Sequence, residues 1–181
     1  LPAGQLADLS ANLAAGKRPG TEVWLGGGTW AEPIAAAIAP ALAAGRNGVV
    51  VTATVAENEV LTADLQSLLG DCVISSASGG TGAQQTRAWV EAATRSGTLV
   101  VGTRATGFWH IGDLAAAFVV GEGRRGMKDK STPTTHVREV LVKRSQMERF
   151  GLVLCGTVPT AEALAVGTPR RVPKTGRMWG Q

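Results

Sequence analysis

Val23-Trp24-Leu25-Gly26-Gly27-Gly28-Thr29-Trp30 is a short apolar run that ends on three glycines, with an alanine-rich helical pattern behind it. Strand, glycine loop and helix together can cradle a phosphate: glycine lets backbone N–H groups come close to the anion, and the helix turns its positive end toward it. A P-loop closes with lysine and then serine or threonine, the lysine on the phosphates and the hydroxyl on magnesium. Here the helix opens instead with Trp30, Ala31, Glu32 and Pro33. Gly26, Gly27, Gly28 and Thr29 therefore read as a degenerate nucleotide loop that holds an anion weakly if it holds one. No catalytic residue, metal ligand set or cofactor is assigned.

Outward from this stretch, short apolar runs alternate with helical patterns. Strands are expected at Val23–Leu25, Val49–Val51, Cys72–Ile74, Thr98–Val101, Leu114–Val120 and Leu152–Leu154. Helices are expected before them around Leu6–Leu13, then at Pro33–Ala44, Glu57–Leu69, Gln84–Arg95, His136–Phe150 and Thr160–Ala165. Pro40 predicts a kink or an early end in the second of these. Val60, Leu61, Leu65, Leu68 and Leu69 are expected on one buried side of the third. The alternation predicts an α/β fold, a three-layer αβα domain around a mainly parallel sheet, with ligands beyond the carboxyl ends of the strands. The expected organisation is an N-terminal helix and linker over 1–22, the main lobe over 23–167, and a basic linker or tail over 168–181.

With 181 residues, 44% hydrophobic and 18% charged, the chain can bury one substantial core. It has no apolar run of membrane-spanning length and no signal peptide, and its start without methionine reads as either a domain cut from a longer protein or a renumbered sequence. Cys72 and Cys155 are too few for a disulfide scaffold and predict small core residues in a reducing, cytoplasmic setting. Charge is lopsided: 6 basic and 10 acidic residues up to Gly123, against 12 basic and 4 acidic from Arg124 onward. Such asymmetry predicts a basic face toward a polyanion.

Four blocks carry a family resemblance. Val100-Val101-Gly102-Thr103-Arg104-Ala105-Thr106-Gly107-Phe108 is similar to a Gly-Thr-Arg-Ser block, Leu114–Arg124 sits where an Asp-Glu-Glu-His motif belongs, Thr135–Arg144 looks like a Tyr-His-Ala-Arg-Asp helix, and Gly156–Thr160 lies near a Gly-Ser-Ala-Thr-Pro-Ser block. In this order, over roughly Val23 to Ala165, they resemble the first RecA-like lobe of superfamily 2 helicases, and within them the primosomal replication-restart family. The resemblance implies a place in DNA replication restart and contact with branched or single-stranded DNA, a second helicase lobe or primosome proteins. The departures fall on ATP chemistry. Trp30 and Ala31 replace the lysine and threonine, and Gly121-Glu122-Gly123-Arg124 replaces the acidic motif, leaving Glu122 as the sole nucleotide-side carboxylate. This pattern resembles the actinobacterial form of the family, which is considered to lack helicase activity.

Arg104, Arg124, Arg125, Lys128 and Lys130 are the candidate DNA-phosphate contacts, Arg104 after a strand and the others on one loop. Arg104 could instead pair with Asp113 or Glu122. Glu122 as a general base would lack a metal to work with. His136 is expected at a helix start or in the core. Trp24, Trp30 and Trp89 are expected mostly in packing, and Trp109 beside Phe108 is the aromatic expected to be exposed. Two other functions stay open: a Rossmann-like nucleotide- or cofactor-binding enzyme domain, and a protein-interaction lobe that does not touch DNA.

Overall fold

The computed structural model describes residues 3–17, 20–76, 81–132 and 134–172. Residues 77–80, in the small-residue stretch 75–82 that reads as a loop, and 173–181 of the expected tail lie outside them.

The elements run α1 (Ala3–Ala14), β1 (Thr21–Leu25), α2 (Ala31–Ala43), β2 (Asn47–Thr52), α3 (Val55–Leu69), β3 (Val73–Ser75), α4 (Gly82–Thr94), β4 (Leu99–Thr103), β5 (Leu114–Val120), α5 (Val137–Glu148), β6 (Gly151–Gly156), α6 (Ala161–Val166) and β7 (Thr168–Arg171). All seven strands are parallel, in the order β3-β4-β2-β5-β6-β1-β7.

The central strands are buried on both faces, which is why they read as unbroken apolar runs. Successive side chains alternate between two cores. Val50, Val101, Phe118 and Val153 meet α1, α2 and α3, while Val49, Val51, Val119 and Leu154 meet α4, α5 and α6. Trp24 and Phe118, both fully buried, tilt against each other with ring centroids 6.0 Å apart.

The helix boundaries follow from local chemistry. Thr81 and Gln84 form a reciprocal capping box at the start of α4. Thr54 and Thr160 cap α3 and α6 with their hydroxyls. Pro40 lies inside α2, which runs on to Ala43, so the early end expected there is not seen. Proline leaves the carbonyl four residues back without a donor, and the Ser10 hydroxyl of α1 donates to that Ala36 oxygen at 3.4 Å. After α2, the chain turns at Gly45, whose φ of +81° needs glycine. There Gly45 N–H donates to Leu42 and Arg46 N–H to Ala41, closing the helix.

Residues 168–171 form an edge strand, although the sequence predicts a tail from Thr168 onward. Thr168-Pro-Arg-Arg has no apolar pattern to announce a strand. β1 holds it through its backbone and through an ion pair of Arg170 Nε with Glu22 Oε1 at 2.9 Å. Within α3, Leu61 and Leu65 are buried, but Val60 and Leu68 face outward at 65% and 50% exposure.

At the amino ends of the strands, Asn47 is a buried tie. Its amide donates to the Arg95 and Gly112 carbonyls, and its oxygen accepts from Thr98 N–H and hydroxyl. Arg46 pairs there with Asp113 at 3.1 Å. The opposite edge, where the strands end at their carboxyl sides, carries the candidate site.

Candidate functional site

A cleft of about 880 Å³ opens beyond the carboxyl ends of β1, β2, β5 and β6. Gly28, Thr29 and Trp30 border it on one side, and Val120–Arg124 and Gly156–Thr160 on another. α3 contributes Ala56, Glu57, Val60, Leu61 and Asp64. The position is the crevice where open parallel sheets take their ligands.

The glycine loop itself is filled. Gly26 N–H donates to the Gly156 carbonyl. A Cβ placed on Gly26 would stand 3.1 Å from the Val172 carbonyl oxygen and 3.5 Å from the Trp30 ring. The hollow inside Gly26, Gly27, Gly28, Thr29, Trp30 and Val172 has about 10 Å³, no more than one water needs. α2 begins at Trp30 without a side-chain cap, and Glu32 already stands in its first turn, where it complements the helix dipole.

Glu122 is buried at the end of β5 and its carboxylate is fully engaged. Arg138 Nη1 donates to Oε2 at 2.6 Å, and Thr160 donates to Oε1 through its N–H at 3.1 Å and its hydroxyl at 2.7 Å. This knot ties β5, the start of α5 and the start of α6. Both carboxylate oxygens are thus bonded to protein donors. Sequence reasoning missed the partner: Arg138 sits inside the Thr135–Arg144 block, and only the fold brings it to Glu122. His136 caps α5, its Nδ1 accepting from Arg138 N–H at 3.1 Å. Burial pushes the His136 imidazole below its ordinary value and the Arg138 cation adds to this, while Glu122 and Glu139 pull the other way.

The basic residues separate into tethered and open ones. Arg124 lines the cleft but pairs with Glu57 of α3. Arg104, in a single 3₁₀ segment (Arg104–Phe108) after β4, pairs with neither Asp113 nor Glu122. Its Nη1 donates to the Lys128 carbonyl at 2.7 Å and its Nη2 lies 3.4 Å from Asp129. Hydrogen bonds from Ser131, with the Arg104 cation nearby, hold the Asp129 carboxyl below the usual carboxylate range. The loop is further closed by an isolated antiparallel bridge between Lys128 and His136 and by the fully buried Met127. Arg125, Lys128 and Lys130 point outward from it, with no carboxylate within 4 Å among the described residues.

Cys155 is buried in β6 and burial pushes its thiol up; Cys72 is half-buried. Trp109 is half-buried against the second core, so among the described residues the exposed aromatics are Phe108 and Trp89 instead, at 50% and 47%. Among the described residues no group of three or more histidine, cysteine, aspartate or glutamate side chains is placed to hold a metal, and no helix is long and apolar enough to cross a membrane.

No family model matches this chain. Its α/β fold with an all-parallel seven-stranded sheet is RecA-like. It overlays on a DEAD box protein from the hyperthermophile Methanococcus jannaschii with a TM-score of 0.53 at 12% identity, covering 91% of this chain and 47% of that one. It also overlays on RecG bound to a three-way DNA junction with a TM-score of 0.57 at 14% identity, covering 98% of this chain and 25% of that one. In sequence the chain is similar to the probable replication restart protein PriA of Mycobacterium leprae (strain TN), 29% identical over 152 residues, covering 82% of this chain and 23% of the relative. The PriA of Mycobacterium tuberculosis (strain H37Rv) is 28% identical over 155 residues, covering 84% and 24%. The chain thus spans about a quarter of the length of these curated relatives. The resemblance carried by the motif blocks is met in both fold and sequence.

Proposed function

We propose that the chain is a helicase-type lobe of a replication-restart protein that associates with DNA and does not hydrolyse ATP. One observation carries this. Among the described residues, the only cation lining the cleft is Arg124, and Glu57 holds it, while Arg125, Lys128 and Lys130 stand open on the neighbouring loop.

Phosphoryl transfer depends on placed cations and metal. A lysine about 4 Å from a phosphate oxygen contributes roughly 4 kcal/mol at an effective dielectric near 20, and among the described residues no lysine lines this cleft. Gly121 stands where the metal-binding carboxylate of the related motif would be, and Glu122 is committed to Arg138 and Thr160. A Rossmann-type cofactor site finds no support either. β2 ends on Thr52, whose buried hydroxyl donates to the Thr54 and Gly102 carbonyls, and no carboxylate stands there for a ribose.

The loop bearing Arg125, Lys128 and Lys130 suits phosphate-backbone contact, which supplies affinity without reading sequence. Arg104 serves it as a tether that fixes its course, and Arg124 is available only if Glu57 releases it. The expected setting is cytoplasmic, with a second lobe or primosome proteins as neighbours.

The test is fluorescence anisotropy with labelled single strands and forked duplexes. Three phosphate contacts on single strands predict a loss of affinity of about 20-fold between 50 and 200 mM salt, from a slope near −0.7 per contact. Absence of binding at 50 mM salt contradicts the DNA part of the proposal.

A further inference from the structure

The cleft has the size of a ligand site but the wrong chemistry for a nucleotide. α3 turns one helical stripe toward it, Glu57, Val60, Leu61 and Asp64, spaced three and four residues apart. Val60 is 65% exposed there, and Val158 from the turn after β6 is 79% exposed. Ala56, Val120 and Pro159 extend the apolar wall. Of the four charged side chains lining the cleft among the described residues, Glu57 and Arg124 neutralise each other and Glu122 is neutralised by Arg138. Asp64 remains, with no cation within 4 Å among the described residues.

An apolar wall around one uncompensated carboxylate repels phosphate and favours a cation carried on an apolar body. A lone carboxylate is too little for a bound divalent metal. Resting on the non-nucleotide reading above, we propose that this cleft is a docking groove for a segment of another protein chain carrying an arginine or lysine flanked by apolar side chains. The cation pairs with Asp64, and the apolar neighbours cover Val60 and Val158. The charge complementarity selects this occupant over nucleotide, nucleic acid or metal. The apolar surface on both sides of Asp64 selects a peptide over a bare cation.

The experiment titrates the isotope-labelled chain with four probes and follows its NMR resonances. The probes are benzoyl-arginine amide, the isosteric uncharged benzoyl-citrulline amide, the acetylated hexapeptide amide Leu-Ala-Arg-Ala-Leu-Ala, and ATP. The arginine probe is expected to shift Val60, Asp64 and Val158 and to bind at least fivefold tighter than the citrulline probe. The hexapeptide is expected to gain a further tenfold. Asp64→Asn should bring the arginine probe down to the citrulline level, and Val158→Ser should weaken all three, with the remaining spectrum unchanged. Equal binding of arginine and citrulline probes, or shifts confined to other surfaces, overturns the proposal. So does a hexapeptide no tighter than the single arginine, which would make a small cation the occupant. ATP shifting the same resonances would overturn the underlying non-nucleotide reading, an outcome separable from silence of every probe, which overturns the docking proposal alone.

Discussion

Replacing Glu122 with alanine would leave the Arg138 guanidinium buried without its partner at 2.6 Å and take the acceptor away from the Thr160 N–H and hydroxyl. Both members of the pair are buried, with side-chain exposures of 7% and 4%. Breaking a buried, hydrogen-bonded ion pair from one side costs about 3–5 kcal/mol, most of it from the charge left behind. At an m-value near 2 kcal/mol/M, that moves the urea midpoint down by about 2 M. Arg138→Ala should cost a similar amount, and the double variant much less than the two together, giving a coupling energy of about 2 kcal/mol. Glu122→Gln keeps an acceptor for Thr160 but turns an amide N–H toward Arg138, so it should fall between wild type and alanine. Equilibrium urea unfolding followed by circular dichroism measures all four. A catalytic carboxylate held ready in a cleft is often a destabilising feature, and its removal leaves stability unchanged or raises it. A Glu122→Ala variant within 0.5 kcal/mol of wild type, or more stable, would refute the reading of Glu122 as a structural knot.

His136 predicts a pH dependence of stability. Its folded-state affinity for protons is below the ordinary value, so as pH falls below about 6.5 the unfolded chain takes the proton first. Stability should be flat above that pH and decline below it, and His136→Asn, which still caps α5, should flatten the decline in urea midpoints measured from pH 5 to 8. Lys128→Ala should reduce the salt slope of single-strand binding by about 0.7, the share of one phosphate contact. Arg104→Ala should weaken binding by loosening the loop while leaving that slope unchanged; a reduced slope would show that Arg104 meets phosphate itself. Gly102→Ala should cost about 3 kcal/mol from overpacking, because its Cβ would fall 1.9 Å from both the Ser76 and Thr106 hydroxyls; a stability loss under 1 kcal/mol would contradict the packing at the end of β4.

The sheet was legible because its strands are buried on both faces. Val49-Val50-Val51 and Leu114–Val120 are unbroken apolar runs of strand length, and Thr52 after the first and Gly121 after the second mark one edge. β7 was not legible, since Thr168-Pro-Arg-Arg owes its place to β1's backbone and to Glu22. Helical spacing placed Val60 with Leu61 and Leu65, yet adjacent residues on a helix lie about 100° apart, and Val60 turns into the cleft. That Trp30 and not a lysine follows the glycine loop could be read directly. The pairings could not: Arg104 with Asp129, Arg124 with Glu57 and Glu122 with Arg138 join residues that only the crossovers bring together. Trp109 packs half-buried against the second core while Trp89 stands exposed on α4, contacts that spacing alone does not reveal.

The most direct measurement is phosphate release from ATP by the purified chain with magnesium, with and without single-stranded and forked DNA. A cleft whose lining Arg124 is held by Glu57, and whose Glu122 is committed to Arg138, predicts no release above the protein-free blank in either condition. Release that depends on both magnesium and DNA would contradict it.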